Sequence, residues 1–212
     1  MSLDKIIVDR GINSVVHFTT NRGSLGVFRT KALKSRHRLN GDEQLKHIFQ
    51  PNAASRDKDA DWLDYANLSI SRINTDFFGA SGNWHKEKDF FWCILDFSPE
   101  ILSHHGVQFT TTNNIYTGVK RGKGAEALEA TFNSVICQWS GRLVRRPESF
   151  PLNLPTCRQA EVLYPGEVST EYLQRIYVRE ESDGDELVGQ MELVRHREIE
   201  IEVKPELFRE IK

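Results

Sequence analysis

The sequence predicts a single domain, residues 1–212, of mixed α/β or α+β class. Segments with helical and with strand periodicity alternate irregularly along the chain, and no repeat or low-complexity tract interrupts them. Residues 90–97 form an almost continuous apolar and aromatic run of strand length, which indicates a central strand. Because 39% of the residues are hydrophobic and 27% are charged, the composition is that of a soluble globular protein with a core.

Charge and cysteine content argue against several classes of protein. The formal net charge of -2 gives no overall basic signature, so any contact with a nucleic acid must rest on a local patch. Residues 1–10 do not resemble a signal peptide, and no stretch is long and apolar enough to cross a bilayer. The three cysteines lack a CxxC pair, which argues against a disulfide framework or a zinc site. We therefore expect a cytoplasmic protein with no membrane contact and no metal.

A first strand is predicted over residues 14–19. Alternation along that strand places the polar side chains of His17 and Thr19 beside each other on one face. Asn21 is then expected to cap a helix that ends at Arg29. A second strand is predicted over 65–71, and the side chains on its polar face are Tyr65, Asn67, Ser69 and Ser71.

The second half of the chain contains further predicted elements around an irregular loop. Residues 139–156 hold three prolines and two adjacent arginines without a regular period, which is typical of a loop. Helices are predicted at about 124–132 and 185–194, and a last strand at 198–203.

A strand predicted over residues 157–164 carries Gln159 and Glu161 on one face. A carboxylate within a strand is costly unless it is paired, hydrogen-bonded or placed at the rim of a cleft, so Glu161 is a candidate functional group. Spacing leaves two other interpretations open. Half-exposed strands also carry glutamate on their wet face, and His17 can be a core histidine bonded to a backbone carbonyl.

The order of these pieces resembles the DarT family of DNA ADP-ribosyltransferase toxins. The specific parts are residues 16–20, VHFTT, and residues 158–163, RQAEVL, within a resemblance that runs from about residue 12 to 178. The thymine-modifying members have a Tyr-Val-Pro-Phe-Tyr-Phe type of second motif followed by Asn-Pro-Arg. This chain has YANLSISR at residues 65–72 instead, which is more similar to the guanine-modifying branch.

The resemblance implies a fold and an activity. The fold is an α+β, ADP-ribosyltransferase-like fold, with a central split, mainly antiparallel β-sheet flanked by helices. The activity is NAD-dependent mono-ADP-ribosylation of a nucleobase in single-stranded DNA, with guanine favoured over thymine. The resemblance also implies a toxin whose partner is a macrodomain antitoxin that removes the modification.

The resemblance assigns roles to individual residues. Glu161 matches the catalytic carboxylate, which stabilises the positive charge that develops on the ribose in the transition state. Arg72 matches a second catalytic position, but strict alternation would turn it to the apolar side unless the strand ends or bends there. Four residues match the side of the site that binds NAD: His17, Thr19, Tyr65 and Asn67.

The DNA is expected to contact the loop before Glu161, where this fold class recognises its acceptor. A base within a duplex is inaccessible, so single-stranded or flipped DNA is the expected substrate. Trp139 can stack on a base, and Gln159 can position the nucleophile. The side chains expected to bind phosphates are Arg142, Arg145 and Arg146.

Three alternatives stay open. The catalytic glutamate does not report the acceptor, so the same NAD chemistry can serve RNA or protein. The sequence Glu202-Val203-Lys204, after the acidic residues Asp183 and Asp185, is the pattern of a metal-dependent nuclease. The third alternative is a binding domain for nucleotides or DNA without catalysis.

Overall fold

The computed structural model describes residues 2–42, 45, 57–84 and 90–209. The helices are α1 Leu3–Asp9, α2 Asn21–Thr30, α3 Arg36–Asn40, α4 Thr75–Trp84, α5 Gly124–Ala130 and α6 Glu181–Leu193. The strands are β1 Val15–Thr20, β2 Ala32–Lys34, β3 Tyr65–Ile70, β4 Trp92–Phe97, β5 Gln108–Thr110, β6 Arg121–Gly122, β7 Val135–Cys137, β8 Leu143–Arg145, β9 Glu161–Pro165, β10 Glu167–Ser169, β11 Leu173–Val178 and β12 Glu200–Val203. In these ranges no helix has the length and apolar character that crossing a membrane requires.

Eight strands form the main sheet, in the order β12-β11-β4-β1-β3-β9-β5-β6. Every neighbouring pair in this sheet is antiparallel except β11 and β12, which run parallel. Two small ribbons, β10 with β2 and β7 with β8, lie outside it. The predicted α+β class with a mainly antiparallel sheet is confirmed.

The sheet is split beside β1. β1 pairs with β4 over all six of its residues, Val15–Thr20. It pairs with β3 only through Val15 and Val16. The two halves of the sheet therefore separate from His17 onward, and this separation is the central split that the α+β prediction included.

Two apolar clusters cover the faces of the sheet. The alternation of β1 explains the division, because Val15 packs into the larger cluster and Val16 and Phe18 pack into the smaller one. β4 is buried along its whole length, which confirms that residues 90–97 contain a central strand. The burial of β3 alternates strictly, with Ala66, Leu68 and Ile70 inside.

Three predicted boundaries were wrong. Thr20, and not Asn21, caps α2: its backbone is still extended, and its hydroxyl accepts a hydrogen bond from the Gly23 N–H at 3.2 Å. The segment 139–156 is not entirely a loop, because β8 pairs with β7 to form a hairpin. The strand predicted from residue 157 begins only at Glu161, since the residues before it form a turn.

A buried carboxylate on β4 links β11 to the residue that directly precedes β1. Asp96 is 3% exposed and accepts hydrogen bonds from the hydroxyls of Ser14, at 2.6 Å, and Tyr177, at 3.0 Å. Burial raises the pKa of Asp96, and these two donors act against that rise. Burial and the charge of Asp96 also raise the pKa of Tyr177 to about 12, so the phenol keeps the proton that it donates.

We expect Asp96→Ala to lower the free energy of unfolding by about 1–3 kcal/mol, because it leaves two buried hydroxyls without their acceptor. Urea unfolding measures this loss. Asp9→Ala, at an exposed position of α1, is the matched control and should change stability by less than about 0.5 kcal/mol. Equal stability of the two variants would contradict a structural role for Asp96.

Candidate active site

Glu161 is the first residue of β9, and its carboxylate is held by a loop that follows β5. Glu161 Oε2 accepts a hydrogen bond from the Asn114 N–H at 2.9 Å. The Glu161 N–H donates to Thr110 Oγ1 at 3.1 Å, on the neighbouring strand. The side chain is half-buried. The carboxylate is thus fixed at the end of a strand and partly withdrawn from water.

The polar face of β3 lies next to Glu161. β3 pairs with β9 from Tyr65 opposite Pro165 to Leu68 opposite Val162. Extending this register by one residue places Ser69 opposite Glu161. Asn67 is two residues from Ser69, which corresponds to roughly 7 Å along the strand. The predicted residues on β3 and Glu161 therefore share one face of the same half-sheet.

His17 bridges the opening between β1 and β3. Its Nδ1 lies 2.8 Å from the carbonyl oxygen of Asn67. Because a carbonyl only accepts, Nδ1 carries the hydrogen and Nε2 is left as an acceptor. Burial lowers the pKa of His17 and outweighs the opposing effect of this hydrogen bond, so the ring is neutral at pH 7.

Thr19 lies two residues farther along β1 and is nearly buried. Gly23, in the first turn of α2, packs directly against it. A Cβ atom on Gly23 would overlap with Thr19 Oγ1. Only glycine therefore allows the helix to approach the strand this closely with Thr19 in its present rotamer.

Arg72 follows a sharp bend at the end of β3. The strand ends at Ile70, and Ser71 has a left-handed backbone with φ of 59°. Alternation would have turned Arg72 to the apolar side unless the strand ended or bent there. Because the chain bends at Ser71, Arg72 is released from that alternation. Its guanidinium donates to the Arg209 carbonyl, and its Nε is buried without a partner among the described residues. Burial lowers the pKa of Arg72.

Gln159 sits in the turn before β9 and contacts α4. Its Nε2 donates to Asp76 Oδ2 at 2.7 Å, and Arg158 Nε lies 3.0 Å from the same oxygen. These residues border a cavity of about 240 Å³, which is lined by Asp76, Gln138, Trp139, Arg142, Val144, Arg158 and Gln159. The turn before Glu161 and the β7–β8 hairpin therefore share one concave surface.

The residues predicted to bind DNA differ in their surroundings. Trp139 is 59% exposed at the tip of the hairpin, and Arg142 and Arg145 are exposed beside it. Arg146 instead donates to the carbonyls of Leu154 and Pro151, both at 2.7 Å. Arg146 therefore holds the loop together, whereas the first two arginines face solvent.

Unsatisfied polar atoms concentrate around this site. Six side-chain atoms of the described residues are buried without a hydrogen-bond partner: Asn21 Oδ1, Ser71 Oγ, Arg72 Nε, Asn114 Nδ2, Gln159 Oε1 and Arg175 Nε. Four of them belong to the end of β3 or to residues flanking Glu161. Since buried polar atoms without partners are rare, this clustering sets the region around Glu161 and the end of β3 apart from the rest of the described fold.

Sequence reasoning missed four residues around the site: Asn114, Arg121, Asp76 and Tyr116. Asn114 supplies the N–H for Glu161, and Arg121 Nε donates to its side-chain oxygen at 2.5 Å. Asp76 binds Gln159. The Tyr116 hydroxyl lies near Gln159, and burial raises its pKa, so it remains protonated. The polar run Thr110–Asn114, which begins at the last residue of β5, was the available signal for the first of them.

Glu202, from the sequence pattern of a metal-dependent nuclease, forms ion pairs with basic side chains. Glu202 Oε1 lies 2.7 Å from Arg175 Nη1, and its other oxygen lies 3.7 Å from Lys204 Nζ. Within the ranges that the structure covers, no group of three or more histidine, cysteine or acidic side chains is arranged to hold a metal ion. Glu202 is therefore part of an ion-pair network on β12.

Comparisons with known proteins identify the family. The family model described as "ssDNA thymidine ADP-ribosyltransferase, DarT" matches residues 16–209. A direct comparison with curated protein sequences gives no match.

Solved structures with the same fold are distant in sequence. Thermus sp. 2.9 DarT in complex with carba-NAD+ has a TM-score of 0.64 at 14% identity, covering 93% of this chain and 98% of that one. The same Thermus protein in complex with ADP-ribosylated ssDNA has a TM-score of 0.63 at 13% identity, with 94% and 97% covered. Thermosipho africanus DarTG in complex with ADP-ribose has a TM-score of 0.59 at 15% identity, with 94% and 53% covered. The match over residues 16–209 and the shared fold together show that this chain belongs to the DarT family and is an ADP-ribosyltransferase.

Proposed function

We propose that this protein transfers one ADP-ribose group from NAD to a guanine base in single-stranded DNA. The observation that carries the proposal is the position of the Glu161 carboxylate. The Asn114 N–H holds this carboxylate, which shares one face of the half-sheet with Asn67, and the Asn67 carbonyl is bonded to neutral His17. The Thermus relative has been solved with NAD+ and with ADP-ribosylated ssDNA, which supports both substrates.

Glu161 is suited to the step in which the bond between ribose and nicotinamide breaks. The electron pair of that bond leaves with nicotinamide, and positive charge develops on the ribose. A carboxylate already fixed by a backbone N–H stabilises this charge without reorganising, so it favours the transition state over the ground state. The base nitrogen then supplies an electron pair to ribose C1′, and Glu161 accepts the proton that this nitrogen loses.

His17 and Thr19 are proposed to bind the ribose on the adenosine side of NAD. Neutral His17 has an acceptor nitrogen, Nε2, while its Nδ1 is used by Asn67. The Thr19 hydroxyl lies on the same face of β1, where Gly23 permits its position. Tyr65 and Asn67, on the polar face of β3, complete the proposed NAD side of the site.

Arg72 is proposed to bind the pyrophosphate or to assist at the base. The bend at Ser71 brings its guanidinium to the end of β3, and its Nε has no partner among the residues described. An arginine with an unused donor suits an anionic group, because the guanidinium is always charged and donates along several directions.

The β7–β8 hairpin is proposed to bind the DNA strand. Trp139 offers an exposed ring for stacking, and Arg142 and Arg145 offer exposed cations for phosphates. Gln159 borders the same cavity as Trp139 and Arg142, and so can contact the base that reacts. Arg146 supports this surface through the Leu154 and Pro151 carbonyls.

The choice of guanine rests on the motif at residues 65–72. Its sequence, YANLSISR, differs from the motif of the thymine-modifying members and is similar to that of the guanine-modifying branch. The family description names thymidine. The identity of the modified base therefore distinguishes this proposal from the family description.

The proposed biological role is that of a toxin in the cytoplasm, reversed by a macrodomain antitoxin. The motif resemblance supports this role, and so does the likeness to Thermosipho africanus DarTG, of whose chain the match covers 53%. An RNA or protein acceptor is the competing outcome.

We expect the native protein to form an ADP-ribose adduct on guanine of single-stranded oligonucleotides, and Glu161→Gln to lower the rate by about a thousandfold or more. Gln keeps the shape of Glu161 but removes the charge. Mass spectrometry after incubation with NAD measures both. An adduct on thymine corrects the base, and adducts confined to RNA or lysate protein refute the DNA acceptor.

We expect Arg121→Ala to lower kcat for NAD hydrolysis in the absence of DNA by about tenfold, because Arg121 anchors the residue whose N–H holds Glu161. Nicotinamide release is the measurement. Arg29→Ala, at an exposed position of α2, is the control and should hydrolyse NAD at the native rate. Equal rates for the two variants would show that the Asn114 loop holds Glu161 without Arg121.

We expect Gly23→Ala to raise the KM for NAD by about tenfold, because the added methyl group displaces Thr19 Oγ1. Gly189→Ala in α6 is a matched control, since a Cβ there meets no atom within 4 Å. Both changes favour helix formation, so circular dichroism should show that both variants fold. An unchanged KM for Gly23→Ala would remove Thr19 from the NAD site.

A further inference from the structure

The side-chain amide of Gln159 is held in one orientation by Asp76. Asp76 Oδ2 accepts the hydrogen bond from Gln159 Nε2. An ionised carboxylate has only acceptor atoms, so the amide atom beside it must be the nitrogen, and not the oxygen. Arg158 Nε lies 3.0 Å from the same Asp76 oxygen and holds it in place. The Gln159 carbonyl oxygen therefore faces away from Asp76.

That carbonyl oxygen, Gln159 Oε1, has no donor to bind. It is buried, and none of the described residues supplies it with a hydrogen bond. A buried acceptor without a donor costs on the order of 1–3 kcal/mol, which a bound ligand with an N–H or O–H group removes. Gln159 borders the cavity with Trp139 and Arg142, so the residue that carries this acceptor belongs to the surface proposed for the DNA base.

We propose that Asp76 is a positioning residue that acts through Gln159, and that the amide so oriented selects an acceptor base with an N–H donor at its nucleophilic nitrogen. This inference rests on the proposed function. One N–H of the guanine amino group donates to Gln159 Oε1. The electron pair of the same nitrogen bonds to ribose C1′ as the bond to nicotinamide breaks, and its lost proton goes to Glu161.

A fixed Gln159 amide can distinguish a base that presents an N–H donor from one that presents an acceptor atom. An amide free to flip presents either its oxygen or its nitrogen, and so accepts bases with donor or acceptor edges alike. With one N–H of Nε2 held by Asp76, the orientation of the amide is fixed and its oxygen is the atom left without a partner. A base that places an acceptor atom there leaves two acceptors facing each other, which disfavours its binding.

Two substitutions at Asp76 separate orientation from charge. Asp76→Asn keeps an oxygen that can accept from Gln159 and Arg158, whereas Asp76→Ala removes the acceptor and frees the amide. Single-stranded oligonucleotides with one guanine are used as substrates. We expect the KM for the oligonucleotide to rise about tenfold in Asp76→Ala and to stay within about threefold in Asp76→Asn. With mixed-base oligonucleotides, the share of adducts on nitrogens that carry no hydrogen, such as adenine N1 and cytosine N3, should rise only in Asp76→Ala.

A double-mutant cycle tests whether Asp76 acts through Gln159. Gln159→Met removes both polar amide atoms at similar size, so adding Asp76→Ala to it should cause no further rise in KM. Asp9→Ala, on the exposed face of α1, is the matched control. Thermal unfolding checks each variant, and Asp76→Ser, which is too short to reach Gln159, replaces Asp76→Ala if the latter does not fold.

Three results overturn the inference: native KM and a native preference for nitrogens that carry a hydrogen in Asp76→Ala, equal losses in Asp76→Asn and Asp76→Ala, or full additivity with Gln159→Met. A failure of the proposed function is distinct, because the native protein would then form no adduct on any oligonucleotide with NAD. An adduct on guanine together with a native-like Asp76→Ala protein overturns the role of Asp76 alone.

Discussion

The site depends on the division of the sheet between β1 and β3. β1 uses its full length to pair with β4, but only Val15 and Val16 pair with β3. Past these residues the β3 backbone lacks β1 as a partner, and the His17 ring satisfies the Asn67 carbonyl instead. This one hydrogen bond gives the Asn67 carbonyl a partner where the two halves of the sheet separate. It also sets the tautomer of the His17 ring and leaves Nε2 as an acceptor in the candidate site.

The side chains proposed for the active site are held by atoms to which no part in the reaction is assigned. A backbone N–H from Asn114 fixes Glu161, and the carboxylate of Asp76 fixes Gln159. This arrangement leaves Asn114 Nδ2 and Gln159 Oε1 buried without partners. Such groups reduce the stability of the folded protein, and the fully buried β4 with its two apolar clusters offsets that loss. A preorganised site requires side chains that are rigidly supported and hydrogen-bonding groups that are still available to a substrate.

On the surface proposed to bind DNA, the positive charge is local. The chain has a net charge of -2, so attraction of DNA cannot come from the protein as a whole. Arg142 and Arg145 are exposed on the hairpin beside Trp139, whereas Arg146 donates hydrogen bonds to carbonyl groups of its own loop. Counting arginines in a sequence therefore overstates the charge available to phosphates, because guanidinium groups also satisfy backbone oxygens in irregular segments.

The sequence by itself determined the features that depend on neighbouring residues. Alternation predicted the polar face of β3, an apolar run predicted β4, and two short motifs predicted the family. The same motifs indicate Glu161 as the proposed catalytic residue. Only the tertiary structure decided which groups hold the site residues, because these partners are remote along the chain. Asn114 is 47 residues from Glu161, and Asp76 is 83 residues from Gln159. The β7–β8 hairpin was likewise invisible, since its short strands pair across a turn without a periodic pattern, and chain packing rather than local preference decides such pairing.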